Sequence, residues 1–495
     1  MKRLLLTFVA LMITAISTLA AETVTIGNIT YSYEGTTATL TDGRNASGAI
    51  SIPSKITVNG VYYTVTEIGK EAFLRNDKIT SVTIPNTVTT IKSAAFFNCI
   101  NITSITIPST VTTMENAIFQ NCYGLTEAFV YSSAINSCEA TFSFCKSLRT
   151  VYLSNNVTRI GNATFNSCSS LNSFINNNVT YIGKNAFRNC TSMLTVKATK
   201  VSTVEVQAFA GCTNLRSIDF SSCPLRGAVV ERTASMTPFQ LIPNSTLICL
   251  PEGNKHADGE VNVVIGTTCD KYVLTEGTPF NVPITKFTAK EIVYERSIPA
   301  NSVSTFFLDY VPPTRDGVKY YKLDNVSGST LTFKEVTELK ANNPYLITTG
   351  NTAVSDFSVN TDTEVYWVNE TGAQYYGIGR ARFIGNSEEK GFEELTSNAA
   401  QSSYVFSQND MTWNRVTSSN KTVSVPPFRA YISKETDGAP NQYSTILEDN
   451  EATGIQQIHT IDIDGTENYY DLNGRRLDQP QRGINIVNGK KILVK

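Results

Sequence analysis

The residues able to do chemistry are few, and their spacing does not favour it. The 495-residue chain has two histidines, His256 and His459. A His-based triad or a multi-His metal site is therefore nearly excluded. Zinc motifs pair cysteines two to four residues apart. Here Cys99, Cys122, Cys145, Cys168, Cys190 and Cys212 stand 22 or 23 residues apart and lack His partners. Cys138 lies off that series, but a thiol nucleophile needs a nearby base and neither His falls in this stretch. Asp462-Ile463-Asp464-Gly465 has the opening of a calcium loop, with its Gly fourth instead of sixth. Gly377-Ile378-Gly379 lacks the third Gly of a dinucleotide loop. Glu388-Glu389 and Glu393-Glu394 read as solvated loop charge. No catalytic residue, metal or cofactor is expected, and the chain does not read as an enzyme.

Lys+Arg is 41 and Asp+Glu is 43, a net charge of -2. That balance argues against nucleic acid or acidic membranes as broad electrostatic partners. Charged residues are 17% of the chain, against about 25% in an average soluble protein. Thr, Ser and Asn carry the surface instead, which suits β structure. Lys2 and Arg3 precede an apolar run from Leu4 to Ala20 that ends in small residues. Residues 1–21 read as a secretory signal peptide. Thr7, Thr14, Ser17 and Thr18 interrupt the run, which argues against a membrane anchor. No transmembrane segment is expected in the mature chain.

The elements that position the remaining residues come from a repeat. Phe73, Phe96, Phe119, Phe142, Phe165, Phe187 and Phe209 are spaced 23, 23, 23, 23, 22 and 22. Every one but the first has a Cys three residues later. Each unit opens with apolar residues at its first, fourth and sixth positions, as in Ile102, Ile105 and Ile107, which places a short strand in every coil. One coil cannot bury its own apolar side, so coils stack and share a core. The fold class expected is β-rich. It comprises a leucine-rich repeat solenoid of about seven coils over residues 71–224, capped by 22–70, then a cap or transition at 225–279. A β-sandwich-like domain follows at 280–450 and a short β tail at 451–495. The Ala-Phe segments are expected as short helical turns on the far side. The third coil, at Ala134-Ile135 and Ser137-Cys138, and the fifth, at Asn176, depart from the pattern.

Between inward positions, the strands present an outward stripe: Thr83, Thr106, Phe129, Tyr152, Ile175, Lys197 and Asp219, with Tyr131 beside Phe129. Its middle is apolar. Phe129, Tyr131, Tyr152, Ile175 and Lys197 are the candidate ligand-binding residues, since contiguous exposed apolar groups mark contact sites. Two other readings stand beside that one. The irregular coils could turn Phe129 and Ile175 inward, or the β domain could cover this face.

Ile84-Pro85-Asn86-Thr87-Val88-Thr89-Thr90-Ile91 and Ala95-Phe96-Phe97-Asn98-Cys99 carry a resemblance to BspA-type leucine-rich repeat proteins. The resemblance covers roughly residues 48–222. It implies an exported bacterial surface protein that adheres to host or bacterial surface proteins or glycans. The end of the chain is similar to sorting domains of the type IX secretion system. It runs Tyr469-Tyr470-Asp471-Leu472-Asn473-Gly474, then Gly483 to Lys495 with a hairpin turn at Asn488-Gly489. The match covers only about half of such a domain. It implies secretion machinery as a partner and the outer surface of a Gram-negative bacterium as the address. Two alternatives stay open. A secreted glycan-active enzyme would show paired carboxylates in a deep pocket within 280–450. An architectural spacer would show a featureless polar sheet face.

Overall fold

The structure is a computed structural model. It describes residues 21–449 apart from 280–283, 285, 367–374, 379–380, 387–389, 420, 428 and 437–438, and beyond 449 only five short strands. Most of the expected signal peptide, the Asp462–Gly465 segment and the Asn488-Gly489 turn lie outside the described residues. The chain divides into two compact units, residues 1–260 and 261–495.

In the first unit, strands recur once per coil and pair in parallel. One ladder runs through Gly48–Ser51, Ile79–Thr83, Ser104–Ile107, Glu127–Val130 and Thr150–Leu153. A second runs through Ser173–Asn176, Thr195–Ala198, Ser217–Asp219 and Leu247–Leu250. The spine behind them is a stack of phenyl rings. Phe73 through Phe209 lie 5.0 to 5.7 Å apart, within 16° of parallel. All seven rings are essentially unexposed, and burying each contributes roughly 1.5–3 kcal/mol. Each repeat Cys is buried three residues on, its Sγ donating to the carbonyl of the Phe one spine position back, as Cys122 does to Phe96 at 3.1 Å.

The Ala-Phe segments are not helical. Ala94 and Asn98 have φ of 55° and 59°, and the same pair of positive values recurs at Ala117 and Asn121. Helix requires negative φ at every residue. The segments are successive turns, with Phe97 N donating to Ala94 O at 3.0 Å and Cys99 N to Phe96 O at 3.2 Å. Every second N–H is thereby freed to donate to the next coil: Ala94 to Asn116, Phe96 to Ile118, Asn98 to Gln120. Coil-to-coil pairing outweighs the left-handed strain of about 1–2 kcal/mol at a non-Gly residue.

The first coil is closed differently. Asn76 stands where later coils have Cys. Its Nδ2 donates to Gly43 O at 2.8 Å and Ala46 O at 2.9 Å, and its Oδ1 accepts from Lys78 N and Ile79 N. Gly43 lies flat against Phe73, where a Cβ would fall 2.2 Å from the ring. Ahead of it, Glu22–Ile26, Ile29–Glu34 and Thr37–Asp42 form antiparallel pairs. Lys55–Val58 and Val61–Ile68 make a hairpin with Asn59 and Gly60 at φ 51° and 79°.

The stack also runs one ring beyond the expected repeat. Phe239 stacks on Phe209 at 6.3 Å and 6°. Phe209 N donates to Pro238 O at 3.0 Å, and Leu247–Leu250 pairs in parallel with Ser217–Asp219. Buried Arg232 and Glu260 brace this end, with Arg232 N donating to Glu260 Oε1 at 2.6 Å and Nη2 to Thr246 O at 2.9 Å.

In the second unit, Thr268–Thr275 pairs in parallel with the long strand Lys286–Ile298. The main sheet has ten strands, in the order Val303–Phe306, Tyr345–Thr349, Val318–Ser327, Thr330–Val336, Gln442–Glu448, Thr412–Arg415, Gln401–Ser407, Arg429–Glu435, Ala381–Asn386, Tyr375–Ile378. The sandwich-like domain expected here is a β domain whose main sheet curls almost closed. Phe307, just past the first strand, covers Gly385 on the ninth, and a Cβ there would fall 1.9 Å from the ring. Phe333, Phe383 and Trp413 fill the interior, with Phe333 stacked on Trp413 at 5.9 Å. The tail strands Gly483–Val487 and Lys490–Val494 pair antiparallel within a five-stranded sheet of their own.

Candidate functional site

The stripe stands on the solvent side of the first unit's ladders. Thr106, Phe129 and Tyr152 are in register, as are Ile175, Lys197 and Asp219. Alternation along each strand sends Ala128 and Val130 into the core and leaves Phe129 half-buried. Tyr131 is 42% exposed, Tyr152 47% and Ile175 65%. The Tyr131 and Tyr152 rings lie 5.3 Å apart and tilted by 49°. Lys197 Nζ pairs with Asp219 Oδ2 at 3.1 Å. Asp219 is otherwise buried, its Oδ1 accepting from Ser221 N and Oγ. Phe129 and Ile175 are thus not turned into the core.

Two grooves flank the aromatic pair. One of about 540 Å³ runs over Thr83 and Thr106 to Tyr131. The other, of about 290 Å³, opens between Tyr152 and Ile175 and reaches the core rings Phe165 and Phe174. It exists because the parallel ladder breaks there: Thr150–Leu153 and Ser173–Asn176 belong to different sheets. Two sequence features accompany the break. Phe174 fills the inward position held by Val196 in the next coil, and its ring packs on Phe187 at 4.8 Å. Asn176 Oδ1 accepts from Asn178 N and Val179 N, forming a side-chain turn one residue shorter than that of the preceding coil. The third coil interrupts the smaller ladder on the opposite side. Ser132 Oγ caps a 3₁₀ turn at Ser133–Ser137, and the two-residue strands resume at Arg159–Ile160. Asn176 was legible as an irregularity. The Phe174 wedge was missed, although its size at an inward position is the signal that would have found it.

This face presents aromatic and aliphatic surface to solvent. The thiols beneath it are held by burial above their usual range, Cys99 and Cys212 at about 12, and a protonated buried thiol is inert. Among the described residues, no cluster of three or more His, Cys, Asp or Glu is placed to hold a metal ion, and no helix is long and apolar enough to cross a membrane. In the second unit, burial raises the Asp309 carboxyl to about 7. Tyr272 OH donates to its Oδ2, and its Oδ1 has no hydrogen-bond partner.

No curated protein matches the chain. Among solved structures, a T. pallidum leucine rich repeat protein is 23% identical, with a TM-score of 0.33, covering 39% of this chain and 91% of that one. A leucine rich cell surface protein from Faecalibacterium prausnitzii is 22% identical at a TM-score of 0.29, covering 52% and 90%. A leucine-rich repeat protein from Bacteroides capillosus is 29% identical at 0.25, covering 27% and 98%. The family of BspA type leucine rich repeat regions matches residues 66–194 and 167–226, in six copies. The stacked coils, their Phe spine and their buried Cys ladder are therefore those of a BspA type leucine rich repeat region, which this chain carries over residues 66–226.

Proposed function

We propose that the chain is an exported, surface-displayed binding protein that holds a partner protein or glycan against the sheet face of its repeat, without catalysis. One observation carries the reading: Phe129, Tyr131 and Tyr152 form an apolar patch on adjacent coils and Ile175 lies across a cleft from Tyr152, three of the four being well exposed. Aromatic anchors dominate binding energies, and solenoid faces commonly serve as extended contact surfaces. The signal-peptide reading of residues 1–21 and the family of the repeat support display outside the cell. Lys197, tied to Asp219, sits at the polar border of the patch. In the same reading the tail at 451–495 is an address for secretion machinery.

The test is array binding of the full chain against matrix proteins and glycans, then Phe129→Ser, Tyr131→Ser and Tyr152→Ser together. Binding should fall at least tenfold while the melting temperature stays within a few degrees. A large drop in melting temperature would make these rings structural, and unchanged binding would move the site off this face. For the tail, deletion of residues 455–495 should trap the protein in the periplasm, and surface delivery of the truncated chain would refute the sorting role.

A further inference from the structure

The second unit gathers more hydrogen-bond donors than acceptors around one hydroxyl. Ser304 Oγ receives Arg296 Nη2 at 2.6 Å, Gln408 Nε2 at 2.8 Å and Arg429 Nη1 at 2.5 Å. A hydroxyl oxygen has two lone pairs, so three donors oversubscribe it. The local charge is unbalanced in the same direction. Arg296 and Arg429 share one carboxylate, Glu276. Arg429 Nε and Nη2 both donate to Glu276 Oε1, at 3.0 and 2.7 Å. Tyr294 OH donates to Oε2 at 2.6 Å. Arg296 Nε comes no nearer to Oε2 than 3.6 Å. Its side chain is 1% exposed, and both Nε and Nη1 are buried without a hydrogen-bond partner. Burial, and then the Arg429 charge, lower its pKa to about 10, which still leaves it a cation at neutral pH. Buried charge with unmet donors is costly unless something pairs with it.

Beside this cluster lies a cavity of about 380 Å³. Ser304, Gln408 and Arg429 form part of its lining, with Ser407, Asn409 and Ser424 as further polar groups and an apolar wall. We propose that this cavity binds a small oxyanion, the carboxylate or sulfate group of a molecule about the size of one sugar. Its oxygens take Arg429 Nη1 and Gln408 Nε2, as charge-assisted bonds stronger than those to a neutral hydroxyl. Ser304 Oγ is left to Arg296. The apolar wall then meets the body of the ligand. The site is separate from the repeat's sheet face and does not depend on it.

Both tryptophans, Trp367 and Trp413, lie in the second unit, so tryptophan emission follows its melting in the full chain. Sodium glucuronate and sodium sulfate should each be compared with sodium chloride at equal ionic strength, and glucose with buffer. At saturating anion, melting should rise by about 2–4 °C with at least one of the two and not with glucose. Glucuronate alone assigns a carboxylate, sulfate alone a sulfate, and both the shared oxyanion. Arg429→Gln should abolish the response. Gln408→Glu places a carboxylate among the donors. It should raise melting in chloride and also abolish the response, and it decides the matter if Arg429→Gln does not fold. No rise with either anion, or a rise that survives Gln408→Glu, would overturn the proposal.

Discussion

The two units fill their interiors with different materials. The first stacks phenyl rings and thiols, and its buried Arg232–Glu260 pair sits at the last coil, outside the repeat. The second buries tyrosines, Arg296 and Asp309 well inside. The contrast shows what repetition allows. When each coil offers the next an identical surface, backbone N–H groups find carbonyls along the stack, and the polar side chains buried in its middle coils, such as Thr141, Ser143 and Thr164, are small hydroxyls. A sheet that curls on itself has no such translation. Beside that sheet, the second unit is stitched by specific side-chain pairs such as Tyr272–Asp309.

Breaking the spine should have the largest effect. Phe142→Ala should cost about 3–5 kcal/mol, from lost transfer energy plus a cavity between two stacked neighbours. Circular-dichroism melts would show it, and an unchanged melt would refute the stacked core. In the second unit the corresponding lever is pH. The folded Asp309 pKa, about 7, lies above its unfolded value. Its protonated form therefore favours folding below about pH 4, and that contribution is lost as pH rises through 7. Tryptophan-monitored stability should fall across that window by on the order of a few kcal/mol. Asp309→Asn should flatten the profile, and a variant as pH-dependent as the parent would remove Asp309 as its cause.

A half-buried carboxylate sharpens the comparison from the other side. Glu115 accepts from Ser93 Oγ at 2.7 Å and Ser93 N at 2.9 Å, with Lys92 Nζ at 3.1 Å. The Ser93 bonds, with Lys92 behind them, hold its pKa down at about 2. A depressed pKa contributes stability above the unfolded value, lost as pH falls from about 4.5 to 2. Solvent screening limits it to about 1 kcal/mol or less, and Glu115→Gln should remove that acid limb from the first unit's melt. The smallest effect should be a gain. Ala117, at φ 58°, should accept Gly with a stabilisation of about 0.5 kcal/mol, strain relief slightly exceeding the added unfolded-state entropy. Ala95→Gly, at a buried position without positive φ, should be destabilising in the same denaturant titrations.

What could be read from the residues was whatever recurs. The 22–23-residue period placed the strands, the ring stack, the inward thiols and the outward Phe129, Tyr152 and Ile175. The turns of the Ala-Phe segments were misread as helical because Ala favours helix locally, whereas the hydrogen bonds that decide their geometry run between coils. Phe239 escaped because an insertion lengthens the last spacing, Phe209 to Phe239, to 30 residues, and phase is all that a periodic search sees. The split between Tyr152 and Ile175 is a matter of ring volume against a neighbour 22 residues away. The curled sheet of the second unit and its Ser304 cluster join residues such as 276, 304 and 429, whose proximity no local pattern encodes.

The thiol ladder has a consequence for kinetics. Each repeat Cys is sealed by its neighbours and bonded to a Phe carbonyl, so a thiol reagent can reach it only when that coil opens. Six sulfurs at near-constant spacing thus act as a row of native clocks along one axis. Their individual labelling rates, read by peptide mass, convert to local opening free energies coil by coil. Fraying that begins at one end would appear as a gradient, and the rates on either side of the broken ladder would show whether the ring stack and the remaining coil-to-coil hydrogen bonds transmit cooperativity across it.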